Sequence, residues 1–283
     1  MKPVNLHQLS INTDDTKNAP LENFSKKLQE PHFDSVELIL RDEEKRLVEL
    51  INEYKDDAIF GCVAWLTSVP ILKALAGCRN VQVIVQKEDF LRPDIDTKNR
   101  NEWKSNLYRL YNSITCKMDK FLFRKPISDL STSGEINIDG LRCVGNHNAE
   151  KLPAFPRMHH KFMVFCKLDE INYHQNEHGD YELINEHLRP DKDDFEDIHT
   201  WFEALKLFEK QYQFYHPVGV WTGSFNLTKN ATQSFENAIY FEDKTGTNEI
   251  INAYLNEHHQ IYALSEPLNW EAIWSEPEFR LGT

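Results

Sequence analysis

Three short stretches of this 283-residue chain carry side chains that could together handle a phosphodiester. They are His159-His160-Lys161, Thr222-Gly223-Ser224-Phe225-Asn226 and Glu236-Asn237. Cleaving such a bond takes a nucleophile, a proton for the leaving oxygen and donors for the charged equatorial oxygens. Imidazole serves as nucleophile or as general acid–base near neutral pH. Residues i and i+2 of a strand share a face, so Lys161 can stand beside His159 while His160 turns the opposite way, into packing. Ser224 and Asn226 have the same spacing and could aim short polar groups at one phosphate. A carboxylate on a neighbouring strand, Glu236, would orient the histidine and hold its charged form. Lysine and asparagine supply the charge stabilisation, so the constellation needs no metal or other cofactor. Each stretch alone is commonplace, as a surface histidine, a turn or a solvated acid. The combination carries the chemistry.

Such residues must be held by a sheet, and the sequence offers one. Ala58–Leu66 and Asn80–Gln86 are nearly continuous apolar runs. Between them Ser68 is an N-cap, Pro70 sits in the first turn and Gly77 is a stop, so a short helix joins two strands. Continuous rather than alternating runs suit strands buried on both faces. Further strands are expected at Ser35–Leu40, Met158–Cys166, Val218–Thr222 and Asn237–Glu242, with a hairpin over Ile136–Val144. Helical spacing predicts helices at Asp42–Tyr54, Lys98–Ser113, Asp194–Tyr212 and Thr247–Tyr262, and a short one near Leu21–Gln29. The expected architecture is α/β, a mixed central β-sheet flanked by helices on both faces. Residues 1–56 read as an N-terminal arm with helices. Residues 57–262 read as one catalytic domain with insertions at about 88–130 and 167–215, and residues 263–283 as a C-terminal tail.

The stretch HHKFMVF, followed later by VWTGSFNLTKNATQSFENAIYF, resembles the phospholipase D superfamily, whose hallmark is H-x-K-x4-D followed by G-S-x-N. His159 and Lys161 match the first motif; Gly223, Ser224 and Asn226 match the second. Glu236 matches the acidic residue that orients the nucleophilic histidine. The strand–helix–strand from Phe60 to Gln86 also looks like that family's opening. The resemblance implies a phospholipase D-like fold and a metal-independent phosphodiesterase working through a phosphohistidine. It departs in two places. The motif's Asp falls on Cys166, and roughly fifty residues, Lys167 to His216, separate the half-motifs. The family's site uses two H-x-K motifs and this chain has one. The resemblance therefore implies a homodimer whose shared site is completed across a two-fold axis.

Charge bears on the substrate. The net charge of −13, from 45 acids and 32 Lys+Arg, argues against a polyanionic partner when taken whole. Lys167–Asp197, however, holds eleven acids and three bases, −8 of that total. Lys98–Lys125 holds eight bases and two acids, interleaved with Trp103, Tyr108 and Tyr111. Lys98, Arg100, Lys104 and Arg109 are thus candidate contacts to a phosphate backbone. Nucleic acid is the first reading, with an endonuclease acting on DNA or RNA. A phospholipase D-type lipid hydrolase and an inactive scaffold of the same fold are the alternatives. The acidic insertion is expected to be a solvated loop, or a cover that a regulatory protein partner displaces. No run of about 18 apolar residues and no apolar leader stands in the sequence, so no stable membrane association is expected. Five scattered cysteines without a C-x-x-C pair suit reduced thiols in a cytoplasmic setting.

Overall fold

A computed structural model describes residues 10–14, 17–25, 32–93, 101–117, 139–147, 157–168, 173–175, 181–183, 190–211 and 215–274. In chain order the elements are β1 (Ser10–Asp14), β2 (Lys17–Pro20), β3 (Ser35–Ile39), α1 (Glu43–Glu53), β4 (Ala58–Val63), α2 (Val69–Ala76), β5 (Asn80–Gln86), α3 (Asn101–Ser113) and β6 (Leu141–Val144). They continue with β7 (Lys161–Leu168), β8 (Tyr173–Gln175), β9 (Tyr181–Leu183), α4 (Ile198–Gln211), β10 (Tyr215–Gly223), β11 (Ala238–Glu242), α5 (Glu249–Leu264) and β12 (Glu266–Pro267). Eight strands form one mixed sheet in the order β12-β6-β5-β4-β7-β10-β11-β3. β4 runs parallel to β5 and antiparallel to β7, and β10 runs antiparallel to β11.

The two apolar runs occupy the middle of this sheet because every residue of β4 and β5 is buried. Fully burying each Val, Ile or Phe there contributes about 1.5–3 kcal/mol. Between them, the Ser68 hydroxyl accepts the Ile71 amide at 3.3 Å, Pro70 opens α2 and Gly77 closes it. α1, α2 and α3 bury Leu47, Leu50, Ile51, Ile71, Leu75 and Leu107 in the core cluster on one face, against Ile59, Val83 and Phe165. α5 covers the other face. Its His258 ring packs edge-on against Phe60 at 5.2 Å, and Tyr254 against Phe162 at 5.0 Å. The architecture is thus α/β, a mixed sheet with helices on both faces.

Several elements differ from the reading of the sequence. Parts of the expected arm and tail join the fold: β3 forms one edge of the sheet and β12 the other, while Trp270 and Trp274 are buried. Lys87, fully buried in the core, pairs with Glu266 of β12 and donates to the Ala272 carbonyl at 2.8 Å. β1 and β2 pair as a hairpin within the segment expected as an arm. Residues 21–25 of the short helix expected near Leu21–Gln29 have no regular structure, and residues 26–29 lie outside the described residues. Where a hairpin was expected over Ile136–Val144, β6 pairs with β5 and β12. The preceding residues 136–138 of that expected hairpin lie outside the described residues.

Leu168–His216 forms a compact unit of its own, and Met1–Lys167 with Pro217–Thr283 forms the other. Within the smaller unit β8 pairs antiparallel with β9. α4 starts at Ile198, four residues later than Asp194, because Asp197 caps it. Its carboxylate accepts the His199 amide at 2.7 Å and the Thr200 amide at 3.0 Å.

Candidate active site

The H-x-K stretch lies where β7 begins. Val63 of β4 pairs with Lys161, and the ladder runs one step further as the Ala64 amide donates to the His160 carbonyl at 2.8 Å. His159 therefore sits just ahead of the strand, at the end of the sheet where β4 finishes. Its side chain is exposed. The Lys161 ammonium stands 3.2 Å from His159 Nδ1 and donates to the His159 carbonyl at 3.1 Å. Partial loss of solvation, then the charges of Lys161, Arg157 and His160, hold the imidazole below the ordinary histidine range, with Glu88 opposing. Partial burial likewise lowers the Lys161 ammonium, against the supporting charge of Glu236. His160 faces away, 3.4 Å from the Glu257 carboxylate of α5 and packed edge-on against Phe162.

The G-S-x-N stretch leaves β10, the strand next to β7. Gly223 pairs with Ala238, and a Cβ on Gly223 would lie 2.2 Å from the Asn237 carbonyl. Only glycine permits this approach, and the approach locks Ser224 against Glu236 and Asn237. The Ser224 amide donates to the Asn237 carbonyl at 3.0 Å, and the Asn237 amide donates to Ser224 Oγ at 3.1 Å. Ser224 Oγ donates to Glu236 at 2.5 Å. Asn226 Oδ1 is buried and has no hydrogen-bond partner among the described residues.

Glu236 was expected to orient His159. Its carboxylate instead holds Ser224, and the described residues show no hydrogen bond between Glu236 and His159. Strand order explains this. β10 stands between β7 and β11, so Ser224 is the nearer neighbour of Glu236, while the Glu236 charge still reaches Lys161.

Cys166 lies far from this chemistry. It is fully buried at the opposite end of β7, paired with Ala58, and burial followed by the Asp57 carboxylate pushes its thiol well up. All five cysteines are buried and outside any disulfide among the described residues.

The expected phosphate contacts separate. Lys98 and Arg100 lie outside the described residues. Arg109 is near an exposed helix face and donates to Asn106 at 2.9 Å. Lys104 is corrected from an exposed contact to an interior one: it is 6% exposed and donates to the Arg92 carbonyl at 2.7 Å. The helical period turns it inward, where its ammonium ties α3 to the segment after β5.

Three neighbours of His159 escaped the sequence reading. Glu88 follows β5, accepts the Trp65 indole N–H at 3.0 Å and lies 3.9 Å from Arg157. Arg157 precedes His159 by two residues, the spacing that marked Lys161, and this signal was available. Trp65 and Glu88 reach the site through strand pairing, which spacing alone does not reveal.

Fold and site together define an α/β protein with one H-x-K and one G-S-x-N motif at adjoining strand ends. The chain belongs to the same family as Uncharacterized protein L381 of Acanthamoeba polyphaga mimivirus, with 30% identity over 253 residues, covering 86% of this chain and 68% of that protein. No family model matches the chain. Among solved structures it is similar to a phospholipase D family member, Nuc from Salmonella typhimurium, at 16% identity and TM-score 0.40, covering 83% of this chain and 98% of that one. It is also similar to NucT from Helicobacter pylori, at 13% identity and TM-score 0.39, covering 83% of this chain and 99% of that one. Polyphosphate kinase from Porphyromonas gingivalis is similar at 11% identity and TM-score 0.37, covering 85% of this chain and 27% of that one. Among the described residues no helix is long and apolar enough to cross a membrane.

Proposed function

We propose that this chain is a metal-independent phosphodiesterase, an endonuclease that cleaves DNA or RNA through a phosphohistidine on His159. The observation that carries the reading is the Lys161 ammonium set 3.2 Å from the His159 ring, beside the Ser224–Glu236 pair on the adjoining strand ends. A lowered pKa favours the neutral imidazole, the form that attacks. Lys161 and the Asn226 amide would hold the phosphate oxygens.

With one H-x-K motif per chain, the second histidine comes from a second copy in a homodimer. In the proposed cycle a ring nitrogen of one His159 attacks phosphorus, and the bond to the leaving oxygen breaks. The two His159 rings share one proton, and the partner subunit's His159, as the copy that carries it, protonates that oxygen. The resulting neutral ring then takes a proton from water, whose oxygen attacks phosphorus. The P–N bond breaks and its electron pair returns to His159. Cys166 enters no step of this cycle.

The test incubates the protein in excess EDTA with single-stranded DNA, duplex DNA, RNA and mixed phospholipid vesicles side by side. Cleavage of nucleic acid with vesicles untouched is expected. Lipid hydrolysis alone would move the reading to a phospholipase D-type lipid hydrolase. A His159→Ala protein that folds yet cleaves as well as the parent would remove the mechanism.

A further inference from the structure

The β4–β7 ladder pairs Val63 with Lys161, and the Ala64 amide bonds the His160 carbonyl at 2.8 Å. Trp65 follows Ala64 at the end of this ladder, as His159 precedes His160 on the neighbouring strand. On its other side the Trp65 carbonyl accepts the Leu227 amide at 3.1 Å, one residue beyond Asn226. Trp65 thus sits between the two half-motifs. It keeps 37% of its surface exposed, where a tryptophan ordinarily buries its ring. Its one polar side-chain atom is already satisfied, since the indole N–H donates to Glu88 at 3.0 Å. Glu88 is itself buried, 3.9 Å from Arg157. A carboxylate beside a phosphate site opposes the substrate's charge, so its place needs a reason. Fixing the indole supplies one: the ring is held at its edge while part of the side chain stays open to solvent.

We infer that Trp65 is a stacking platform for a nucleobase adjacent to the scissile phosphate, and that the site therefore takes single-stranded or locally unpaired nucleic acid. A paired base has both faces in the duplex stack, whereas an unpaired one can lie on an aromatic ring whatever its identity. The inference rests on the nuclease reading above and names the substrate form of that same site.

The test compares kcat/KM on an oligothymidylate, on an abasic oligonucleotide of equal length and on a duplex, for the parent protein, Trp65→Ala and Trp65→Phe. The parent should favour the oligothymidylate over the abasic strand and over the duplex by about tenfold or more. Trp65→Ala should lose about tenfold on the oligothymidylate and nothing on the abasic strand, and Trp65→Phe should recover most of the loss. Equal losses on both strands would mark a structural role and overturn the inference, as would no loss or a preference for duplex. If the parent cleaves no nucleic acid at all, the nuclease reading fails first and takes this inference with it.

Discussion

The Lys161 ammonium stands 3.2 Å from Nδ1 of His159 and at the same time donates to that residue's carbonyl at 3.1 Å. One cation thus fixes the ring and opposes its protonation. Loss of solvation is the first cause of the lowered His159 pKa, and the Lys161 charge is the second. A histidine titration followed by NMR should find His159 below the ordinary value of about 6.5. Lys161→Met should move it upward. Cleavage by the parent should follow a bell in pH, falling at low pH where the attacking ring takes a proton and at high pH where the partner subunit's His159 loses the proton it donates. A His159 titration unchanged by Lys161→Met would contradict the assignment.

Gly223 lets β10 and β11 approach closely enough for Ser224 to meet Glu236. A Cβ there would meet the Asn237 carbonyl at 2.2 Å and Ala238 Cα at 2.7 Å, both backbone atoms. Gly223→Ala should destabilise the protein by about 1–3 kcal/mol in urea unfolding. It should also lower kcat by about 100-fold, because the Ser224–Glu236 pair is displaced. Parental kcat in this variant would show that the pair does not matter to the reaction.

Cys166 occupies the position of the motif's Asp, and its surroundings do not suit a carboxylate. It is fully buried and already feels the Asp57 charge. Cys166→Asp should cost about 3 kcal/mol or more in urea unfolding, the expense of an unpaired charge in the interior. The fraction that folds should cleave at the parental rate. A gain in rate would mean that the far end of β7 acts on the site.

His258 predicts a pH dependence of stability. Burial first, and His259 second, hold its ring well below the ordinary histidine value, with the Gln82 carbonyl at 3.2 Å opposing. The folded protein keeps it neutral. Below about pH 6.5 the unfolded chain binds a proton that the folded one refuses, so stability falls as pH falls. The slope reaches about 1.4 kcal/mol per pH unit for this one group. Urea midpoints between pH 7.5 and 5.5 should show it, and His258→Phe should flatten the curve. Equal slopes in the two proteins would refute the assignment.

The central sheet was legible because β4 and β5 are buried on both faces, which leaves continuous apolar runs in the sequence. α2 was legible because its cap, first-turn proline and terminal glycine are all local signals. The H-x-K and G-S-x-N residues stood out for the same reason. What the spacing could not convey was strand order. Glu236 meets Ser224 instead of His159 because β10 intervenes, and Trp65 with Glu88 joins the site only once β4 pairs with β7. Lys104 misled because a basic residue in an amphipathic helix reads as exposed, while its stem lies inward and its ammonium finds the Arg92 carbonyl.

The proposed cycle turns on a covalent bond between His159 and phosphorus. End-labelled single-stranded DNA incubated with the protein in excess EDTA, quenched in alkali and run on a denaturing gel, measures it directly. The label should appear on the protein as an alkali-stable, acid-labile adduct with the parent chain and be absent with His159→Asn. Cleavage in EDTA that persists in His159→Asn, or cleavage by the parent only when a divalent metal is supplied, would contradict the cycle.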